Sequence, residues 1–431
     1  MNKKLILLQL NELNFDLVKN YAKKQNLENF NRIFNYGIKL TQSEEEYSLL
    51  EPWIQWVSVN TGKSANEHKI FRLGDIHSSN HRQIYEIIEE KGYKVGAIIP
   101  MNTKNSLLNP AYFISDPWTK TDDSNNFLIK KISKTVSQIV NNNSSRKISI
   151  SNLFFLLISF IIFLRPKNYF KSLFLIITGL KHKWRWAILL DIFLADLHIS
   201  LIKKHQPNFS SIFLNCSAHI QHHYLFNSYS SKNKNPSWYL PNKMDPFNEI
   251  IKVYNQIIGD HFKLDEYQMI IATGLSQEIA PNIDFFYRLT DHNRFLKNLK
   301  IDYDSIYPRM TRDFLIEFKS NKKALEAEHI LSSIETLDGF KIFGIIDNRG
   351  DSLFVSLTYN REIKDKLIIK SNSIDKKINL KEYTSFVAIK NGNHNSKGYV
   401  FFSEGIKSEK NKLLNVKDLF HIILNYFNIN Y

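Results

Sequence analysis

Three histidines within five residues form an unusual group of side chains that could do chemistry. His219, His222 and His223 follow the apolar run SIFLN at residues 211–215. Neutral imidazole is the commonest metal ligand among side chains, and it also titrates near neutral pH. On a helix, His219 shares a face with His222 and His223, because residues three and four apart are neighbours. We therefore predict a metal-binding or acid–base role for this cluster. The alternative is that these histidines are structural or merely exposed.

Further candidate side chains follow or precede other apolar runs. Asn11 and Glu12 come directly after KLILLQL at residues 4–10, Glu51 precedes PWIQW, and His394 lies in the late segment GNHNSKG. Glutamate carboxylates and histidine imidazoles are side chains that can bind a divalent metal ion. Alternatively, Asn11 and Glu12 form hydrogen bonds within a strand-to-helix turn, for which asparagine is well suited.

The segment at residues 50–70, LEPWIQWVSVNTGKSANEHKI, has the layout of a turn that feeds a helix. It resembles a motif of the alkaline-phosphatase-like superfamily of phosphodiesterases, phosphomutases and sulfatases. There a nucleophilic Ser or Thr begins a helix that ends in Thr-Gly, and a His-Gly-Ile turn follows. Thr61 and Gly62 match the helix end, and His68 and Ile70 match the turn. The nucleophile position holds Pro52, which has no group that can attack phosphorus or sulfur.

The resemblance extends in part to the metal ligands of that superfamily. It implies that His222 and His394 hold one divalent ion, zinc or manganese, with Asn11 and Glu12 where the family has a carboxylate. Two other places depart from the family pattern. Ala218 stands where an aspartate is expected, and TGLS at residues 273–276 replaces Ser-Asp-His-Gly. The resemblance therefore implies at most one metal ion.

By the same resemblance, the residues around Pro52 form a pocket wall at a helix N-terminus, where backbone N–H groups favour anions. The predicted acid–base residues are Glu51, His219 and His222. The predicted substrate-binding residues are Trp53, Gln55, Trp56, Asn60, Gln221 and Gln277. The two tryptophans either stack on sugar rings or nucleobases or pack in the core, as large aromatic side chains mostly do.

Strands that alternate with helices must position these residues. Buried strands are predicted at residues 4–10, 93–99, 211–215 and 267–273, and helices at 14–36, 82–91, 186–204 and 246–260. Pro246 suits the first position of its helix, with Asp245 as the N-cap. This alternation predicts an α/β fold, a three-layer α/β/α arrangement with a mostly parallel central sheet.

Composition suggests how the chain is divided. Residues 1–118, 186–284 and 387–431 are predicted to form the core. Residues 119–185 combine a linker rich in Ser, Asn, Asp and Lys with an apolar helical hairpin. Residues 285–386 are predicted to be an inserted α+β cap subdomain, with a helix at 322–337 and a β-hairpin whose strands are 341–347 and 352–359.

Charge and cysteine content bound the partners. The net charge of +15 is spread along the chain without a basic block joined to aromatic RNA-binding signatures, so we predict no nucleic-acid partner. A diffuse basic surface favours anionic substrates or a membrane face.

The single cysteine, Cys216, excludes an internal disulfide and fits a reducing compartment. The first apolar run is too short for a signal peptide, which predicts a cytoplasmic protein. The oligomeric state does not follow from the sequence.

Two apolar runs at residues 151–164 and 172–180 complicate the predicted location. Each is shorter than the roughly 20 residues that span a bilayer. Lysines and the tryptophans Trp184 and Trp186 flank them, which suits a helical hairpin at a membrane interface over residues 150–180. A buried helical pair or a protein contact is an equal alternative, because periodicity does not separate the two.

The resemblance to the alkaline-phosphatase-like superfamily implies a divergent hydrolase or transferase of the phosphoester or sulfoester class. Its expected substrate is anionic or glycan-like, such as a cell-envelope polysaccharide or its precursor. The alternative is a non-catalytic protein that binds a glycan or nucleotide in the former active-site pocket.

Overall fold

The chain forms two compact units. A computed structural model describes residues 3–119, 121, 130–134, 158–309, 312–371, 374–407 and 413–431. The first unit comprises residues 1–279 and 392–431, and the second comprises residues 280–391. The predicted cap subdomain at 285–386 falls within the second unit. Most of the predicted linker, and the first seven residues of the apolar run at 151–164, lie outside the described residues.

An eight-stranded sheet forms the centre of the first unit. In chain order the strands of the protein are β1 (Leu5–Leu10), β2 (Lys39–Gln42), β3 (Val95–Ile98), β4 (Tyr112–Ile114), β5 (Phe209–Leu214), β6 (Gln268–Ala272), β7 (Ser276–Leu289), β8 (Ser305–Pro308), β9 (Asp313–Glu317), β10 (Glu335–Thr336), β11 (Asp347–Asn348), β12 (Ser352–Ser356), β13 (Ile368–Ser371), β14 (Ile374–Asn379), β15 (Thr384–Asn395), β16 (Lys397–Phe402) and β17 (Leu414–Asn415). The central sheet has the order β17-β2-β16-β6-β1-β5-β3-β4. β1 pairs in parallel with β5 and β6, and β3 pairs in parallel with β4 and β5. β16 alone runs antiparallel to its neighbours β2 and β6.

Helices cover both faces of this sheet. The helices of the two units are α1 (Phe15–Gln25), α2 (Glu28–Tyr36), α3 (Pro52–Thr61), α4 (Ala65–His68), α5 (Ile84–Glu90), α6 (Tyr169–Gly179), α7 (Trp184–His205), α8 (Cys216–Tyr224), α9 (Pro246–Phe262), α10 (His292–Asn298), α11 (Asn321–Ser333) and α12 (Asp418–Tyr426). Residues 130–134 and 158–163 are also helical. The predicted cap of α9 is confirmed, because the Asp245 side chain accepts the Asn248 N–H at 3.0 Å.

The alternation of apolar side chains along β1 explains why helices cover both faces of the central sheet. Ile6, Leu8 and Leu10 belong to an apolar cluster that includes side chains of α1, α2, α7, α8 and α9. Leu5 and Leu7 belong to a second cluster with side chains of α3, α5 and α12. Side chains of a strand alternate between the faces of its sheet, so a strand covered on both faces reads as a continuous apolar run. The predicted α/β class with a mostly parallel sheet is confirmed.

Three local predictions were wrong. The helix predicted at 14–36 is two helices, because Asn26 adopts a left-handed conformation (φ 48°) that ends α1. The helix predicted at 322–337 ends at Ser333, since residues 335 and 336 pair with β13. Of the strand predicted at 341–347, only Asp347 lies in a strand, the two-residue β11 (Asp347–Asn348). The backbone of Ile342 instead bonds to residue 334 on one side and residues 358 and 359 on the other.

The second unit has its own α+β core. Its sheets have the orders β11-β12-β9-β8 and β10-β13-β14, and β7 pairs with β15. Apolar side chains of α10, α11 and these strands form a separate cluster. Across the residues described here, no helix combines the length and the apolar character needed to cross a membrane.

Candidate metal centre

Three chain segments meet at one edge of the central sheet. β1 ends at Leu10 and leads into Asn11 and Glu12, and β5 ends at Leu214 and leads into α8. β16 runs the opposite way, so the residues just before it, including His394, reach the same edge. The carboxyl ends of parallel strands are where open α/β sheets place their sites.

Glu12, His222 and His394 converge there. His222 Nε2 lies 3.2 Å from Glu12 Oε2, and His394 Nε2 lies 3.3 Å from the same oxygen. The two imidazole nitrogens lie 3.3 Å apart. Glu12 is buried and the His394 side chain is 9% exposed, whereas the His222 side chain is 24% exposed. The triad is therefore open to solvent on the His222 side.

The spacing and chemistry of this triad fit one zinc ion. Three ligands at about 2.0–2.2 Å from a tetrahedral zinc ion lie about 3.3–3.5 Å from one another. The three donor atoms already have nearly this spacing. Among the described residues, this is the one place where three or more His, Cys, Asp or Glu side chains bring their ligand atoms together. Two imidazoles and one carboxylate are a ligand set of catalytic zinc sites, which keep the fourth position open.

Glu12 is held in place by its backbone and by its neighbours. It is a non-glycine residue with φ 58°, a conformation that costs about 1–3 kcal/mol and concentrates at functional sites. Its N–H donates to the carbonyl of Thr273 at 3.0 Å, and its own carbonyl accepts from Gln221 Nε2 at 2.8 Å. The carboxylate accepts from Asn11 Nδ2 at 3.0 Å and from Gln277 Nε2.

The electrostatics of the triad favour an ionised carboxylate. Burial by itself raises the pKa of Glu12, but His394 and His222 outweigh that effect and hold the pKa well below its usual range. An ionised carboxylate is the form that binds a metal ion.

Glu51 stands beside the triad at the start of α3. Its Oε2 lies 3.9 Å from His394 Nδ1, the ring nitrogen that faces away from Glu12. A carboxylate on the outer nitrogen of a metal-binding histidine orients the ring and raises its basicity. The Glu51 side chain is 32% exposed, so it also faces solvent. Pro52 follows it as the first residue of α3 and is buried.

The side chain of Asn11 makes hydrogen bonds that do not suit the predicted role of a metal ligand. Its Oδ1 accepts from Trp56 Nε1 at 2.9 Å, and its Nδ2 donates to Glu12 Oε1 at 3.0 Å and to Asn215 Oδ1 at 2.8 Å. These bonds point the amide nitrogen at the carboxylate of Glu12. Asn11 therefore positions Glu12 and does not present its oxygen as a ligand.

Several predicted substrate-binding residues are buried instead. Trp56 has no exposed surface and packs edge-on against Phe213, so it does not present a face to a substrate. Gln55 and Asn60 are equally enclosed, with Gln55 Nε2 bonded to the Leu49 carbonyl. Trp53 is half-buried and donates to the carbonyl of residue 71.

Gln221 and Gln277 are buried side chains that support Glu12. Beyond its bond to Glu12, Gln221 accepts the Asn14 N–H at 3.0 Å, and Gln277 Nε2 also donates to the carbonyl of Ala218 at 3.1 Å. Gly392 lies against both glutamines. A Cβ at Gly392 would come within 2.3 Å of the Gln221 carbonyl and 2.5 Å of Gln277 Oε1.

The other predicted histidines lie outside the triad. The His219 side chain is exposed on α8 and its ring lies 5.0 Å from that of His223. His68 is buried, accepts the Ile70 N–H on Nδ1 at 2.9 Å and lies 3.2 Å from Ser58 Oγ. Burial lowers the pKa of His68 to about 4, which suits a neutral ring that ties the turn to α3.

A buried network behind the site was missed by the sequence analysis. Asp191 accepts the Cys216 N–H at 2.9 Å and the Tyr254 hydroxyl at 2.7 Å, and Ser217 Oγ donates to the Asn11 carbonyl at 2.7 Å. Burial raises the pKa of Asp191 to about 7. A carboxylate at a helix N-terminus is favourable, so this network fixes the start of α8. Its sequence signal was an aspartate within the apolar stretch of α7.

Comparison with known proteins gives similarity in structure alone. No known protein family and no curated protein matches the sequence. Among solved structures, phosphonoacetate hydrolase from Sinorhizobium meliloti is 10% identical with a TM-score of 0.45. Human ectonucleotide pyrophosphatase/phosphodiesterase 5 is 12% identical with a TM-score of 0.47, and alkaline phosphatase PafA is 12% identical with a TM-score of 0.45. Each similarity covers 99% of this chain and 96% of the other. At these identities a shared activity does not follow from the similarity.

Proposed function

We propose that this protein is a single-metal hydrolase of the phosphoester or sulfoester class. The observation that carries the proposal is the spacing of Glu12, His222 and His394, whose three donor atoms lie 3.2–3.3 Å apart. A divalent ion held by these residues would act as a Lewis acid on the oxygen that gains charge in the reaction. Two imidazoles and one carboxylate leave a bound divalent ion with a net positive charge, which favours an anionic substrate.

The attacking group comes from solvent in this proposal. Pro52 holds the position of the nucleophile in the family motif and has no hydroxyl group. A water molecule is therefore the nucleophile, and the partly exposed carboxylate of Glu51 accepts its proton. The water oxygen bonds to phosphorus or sulfur as the bond to the ester oxygen breaks, and the departing oxygen leaves as an alcohol or phenol after taking a proton from solvent or from Glu51. The N-terminus of α3, next to Glu51, adds the positive end of a helix dipole on the side where the anionic group binds.

Hydrolysis of generic aryl phosphate diesters, aryl phosphate monoesters and aryl sulfates tests this activity. We expect turnover of at least one ester by zinc-loaded protein, and a loss of about 10²–10⁴-fold in Glu51→Gln, the usual range for a general base. His219→Ala is the matched control, since it changes a histidine of the same helix that lies outside the triad. Turnover that depends on His219 but not on Glu51 would reject these assignments.

A second candidate function is binding without catalysis. Pro52 favours it, because the chain has lost the hydroxyl on which the family's chemistry depends. In this case a glycan or nucleotide occupies the edge of the sheet beside half-buried Trp53. It predicts no turnover of any ester tested, but binding of a phosphorylated sugar that weakens in Trp53→Ala and not in Trp238→Ala, an exposed tryptophan elsewhere.

A further inference from the structure

An apolar surface lies on residues 161–186, which comprise the helical segments before α7 and the first turn of α7. Ten large apolar side chains there are more than about two-fifths exposed, and Phe170 (89%), Ile161 (74%) and Leu180 (73%) are the most exposed. The full set, here called the apolar face, is Ile161, Ile162, Tyr169, Phe170, Leu173, Phe174, Ile176, Ile177, Leu180 and Trp186. Contiguous exposed apolar surface of this kind marks an interaction site.

The orientation of α6 is the reverse of that of an ordinary surface helix. Its buried residues are Ser172, Leu175 and Gly179, two of which are small. The exposed residues at 170, 173, 174 and 177 share the opposite side, at the spacing of one helix face. A surface helix normally turns its apolar side to the core. Among the residues that the structure describes, α6 therefore presents an exposed apolar side.

Polar anchors fix α6 in this orientation. Arg165, just before the helix, pairs with buried Asp196 at 2.5 Å and with buried Asp260 at 2.6 Å. Asn168 Nδ2 donates to Asp196 at 2.7 Å. At the other end, Trp186 Nε1 donates to the carbonyl of residue 176 at 3.2 Å. The helix is thus tied down at both ends while its apolar side faces outward.

Basic residues dominate the segment that carries the apolar face, and three of them, Arg165, Lys167 and Arg185, pair with carboxylates of α7 and α9. Residues 158–190 contain six Lys and Arg residues and no Asp or Glu. Lys181 and Lys183 are exposed next to Leu180 and Trp186. Each Lys or Arg near an anionic membrane contributes about 1 kcal/mol of attraction. Tryptophan and tyrosine side chains prefer the interface between hydrocarbon and water.

We propose that the apolar face docks this protein on the surface of an anionic lipid bilayer. α6 has 11 residues and is about 16 Å long, too short to span the bilayer, but it suits a helix that lies in the interface with its apolar side among the lipid chains. Lys181 and Lys183 then face the lipid headgroups. This docking is independent of the proposed hydrolase activity.

Vesicle co-flotation of the full chain tests the proposal. We expect binding to vesicles of phosphatidylcholine with phosphatidylglycerol, weaker binding to phosphatidylcholine alone, and loss of the difference at about 0.5 M salt, where charges are screened. Phe170→Ser/Leu173→Ser/Ile177→Ser should lower binding about tenfold or more, because three exposed apolar side chains that would enter the lipid are lost. The matched control is Leu108→Ser/Ile345→Ser, which removes two exposed apolar side chains elsewhere.

Two outcomes would overturn the proposal. One is equal vesicle binding by the wild-type chain, the triple-serine variant and the control. The other is a wild-type chain that ignores vesicles but forms dimers that the triple-serine variant does not form, which would assign the apolar face to a second copy. Far-ultraviolet circular dichroism of each variant verifies its fold. Lys181→Glu/Lys183→Glu should remove the preference for anionic lipid while leaving the fold unchanged.

Discussion

The substitution Asn11→Asp tests how the site holds Glu12. Asn11 Nδ2 donates to Glu12 Oε1 at 3.0 Å, and the new aspartate has the same shape but puts an oxygen where that nitrogen lies. A hydrogen bond becomes a contact between two buried carboxylates.

The expected destabilisation follows from the distance between the two groups. Two like charges 3.0 Å apart repel by about 5 kcal/mol at an effective dielectric constant of about 20. Taking up a proton avoids this repulsion, and at pH 7 that costs about 4 kcal/mol for a group with an ordinary pKa near 4. We therefore expect Asn11→Asp to lower the free energy of unfolding by about 3–4 kcal/mol at pH 7 without metal.

The pH dependence gives the sign of the effect. A carboxyl group whose pKa is raised by folding destabilises the protein at neutral pH, and the penalty disappears as the pH falls towards the ordinary pKa. The variant should therefore approach wild-type stability near pH 4. Urea unfolding followed by tryptophan fluorescence measures this, because all six tryptophans lie within residues 1–279 and report on the first unit.

A double variant provides the control. In Asn11→Asp/Glu12→Gln the new glutamine amide can donate to the new aspartate, so most of the lost stability should return relative to the two single variants. A destabilisation by Asn11→Asp that is equal at pH 5 and pH 8 would refute the reasoning. So would a double variant whose loss is the sum of the two single losses.

Two further predictions concern packing and buried histidine. Gly392→Ala should cost about 1–3 kcal/mol of unfolding free energy in urea and weaken metal retention, because its methyl group displaces Gln221 and Gln277; full metal retention would contradict this. Burial lowers the pKa of His261 to about 4, so stability is complete above the ordinary histidine pKa and falls by about 3 kcal/mol as the pH drops from about 6.5 to 4. His261→Gln should flatten the pH profile of unfolding over that range, and an unchanged slope would count against it.

Much of the fold was predictable because the strands are covered on both faces. Such strands are contiguous apolar runs, and β1, β5 and β6 stand where those runs predicted them. The resemblance to the alkaline-phosphatase-like superfamily implied that His222 and His394 share a site with Asn11 or Glu12. The structure brings His222 and His394 together with Glu12, although His222 lies within α8 and not at the end of β5.

The surroundings of the triad were harder to predict for a physical reason. α3 is buried on almost every side, with only Trp53 partly exposed, so its sequence has no polar face that shows which residues meet solvent. Trp56 therefore could not be distinguished from a stacking residue. The sequence left open whether Asn11 is a ligand or a hydrogen-bonding residue, because its partner Trp56 lies 45 positions away in the chain.

The segment around α6 shows the converse ambiguity. A run of leucine, isoleucine and phenylalanine has the same sequence pattern whether its side chains are buried in the core or exposed on the surface. The contacts that orient α6 include those of Arg165 with the buried carboxylates Asp196 and Asp260, which come from α7 and α9. Those contacts join residues that are far apart in the chain, so the local sequence of apolar residues does not reveal them.

Metal stoichiometry tests the central claim most directly. Purified protein, stripped with chelator and titrated with zinc, should bind one equivalent in a calorimeter and retain it on a desalting column. Glu12→Gln, His222→Ala and His394→Ala should each lose that equivalent, while His219→Ala, on the same helix as His222, should keep it. A wild-type chain that binds no zinc, or triad variants that bind it as tightly as the wild type, would contradict the account.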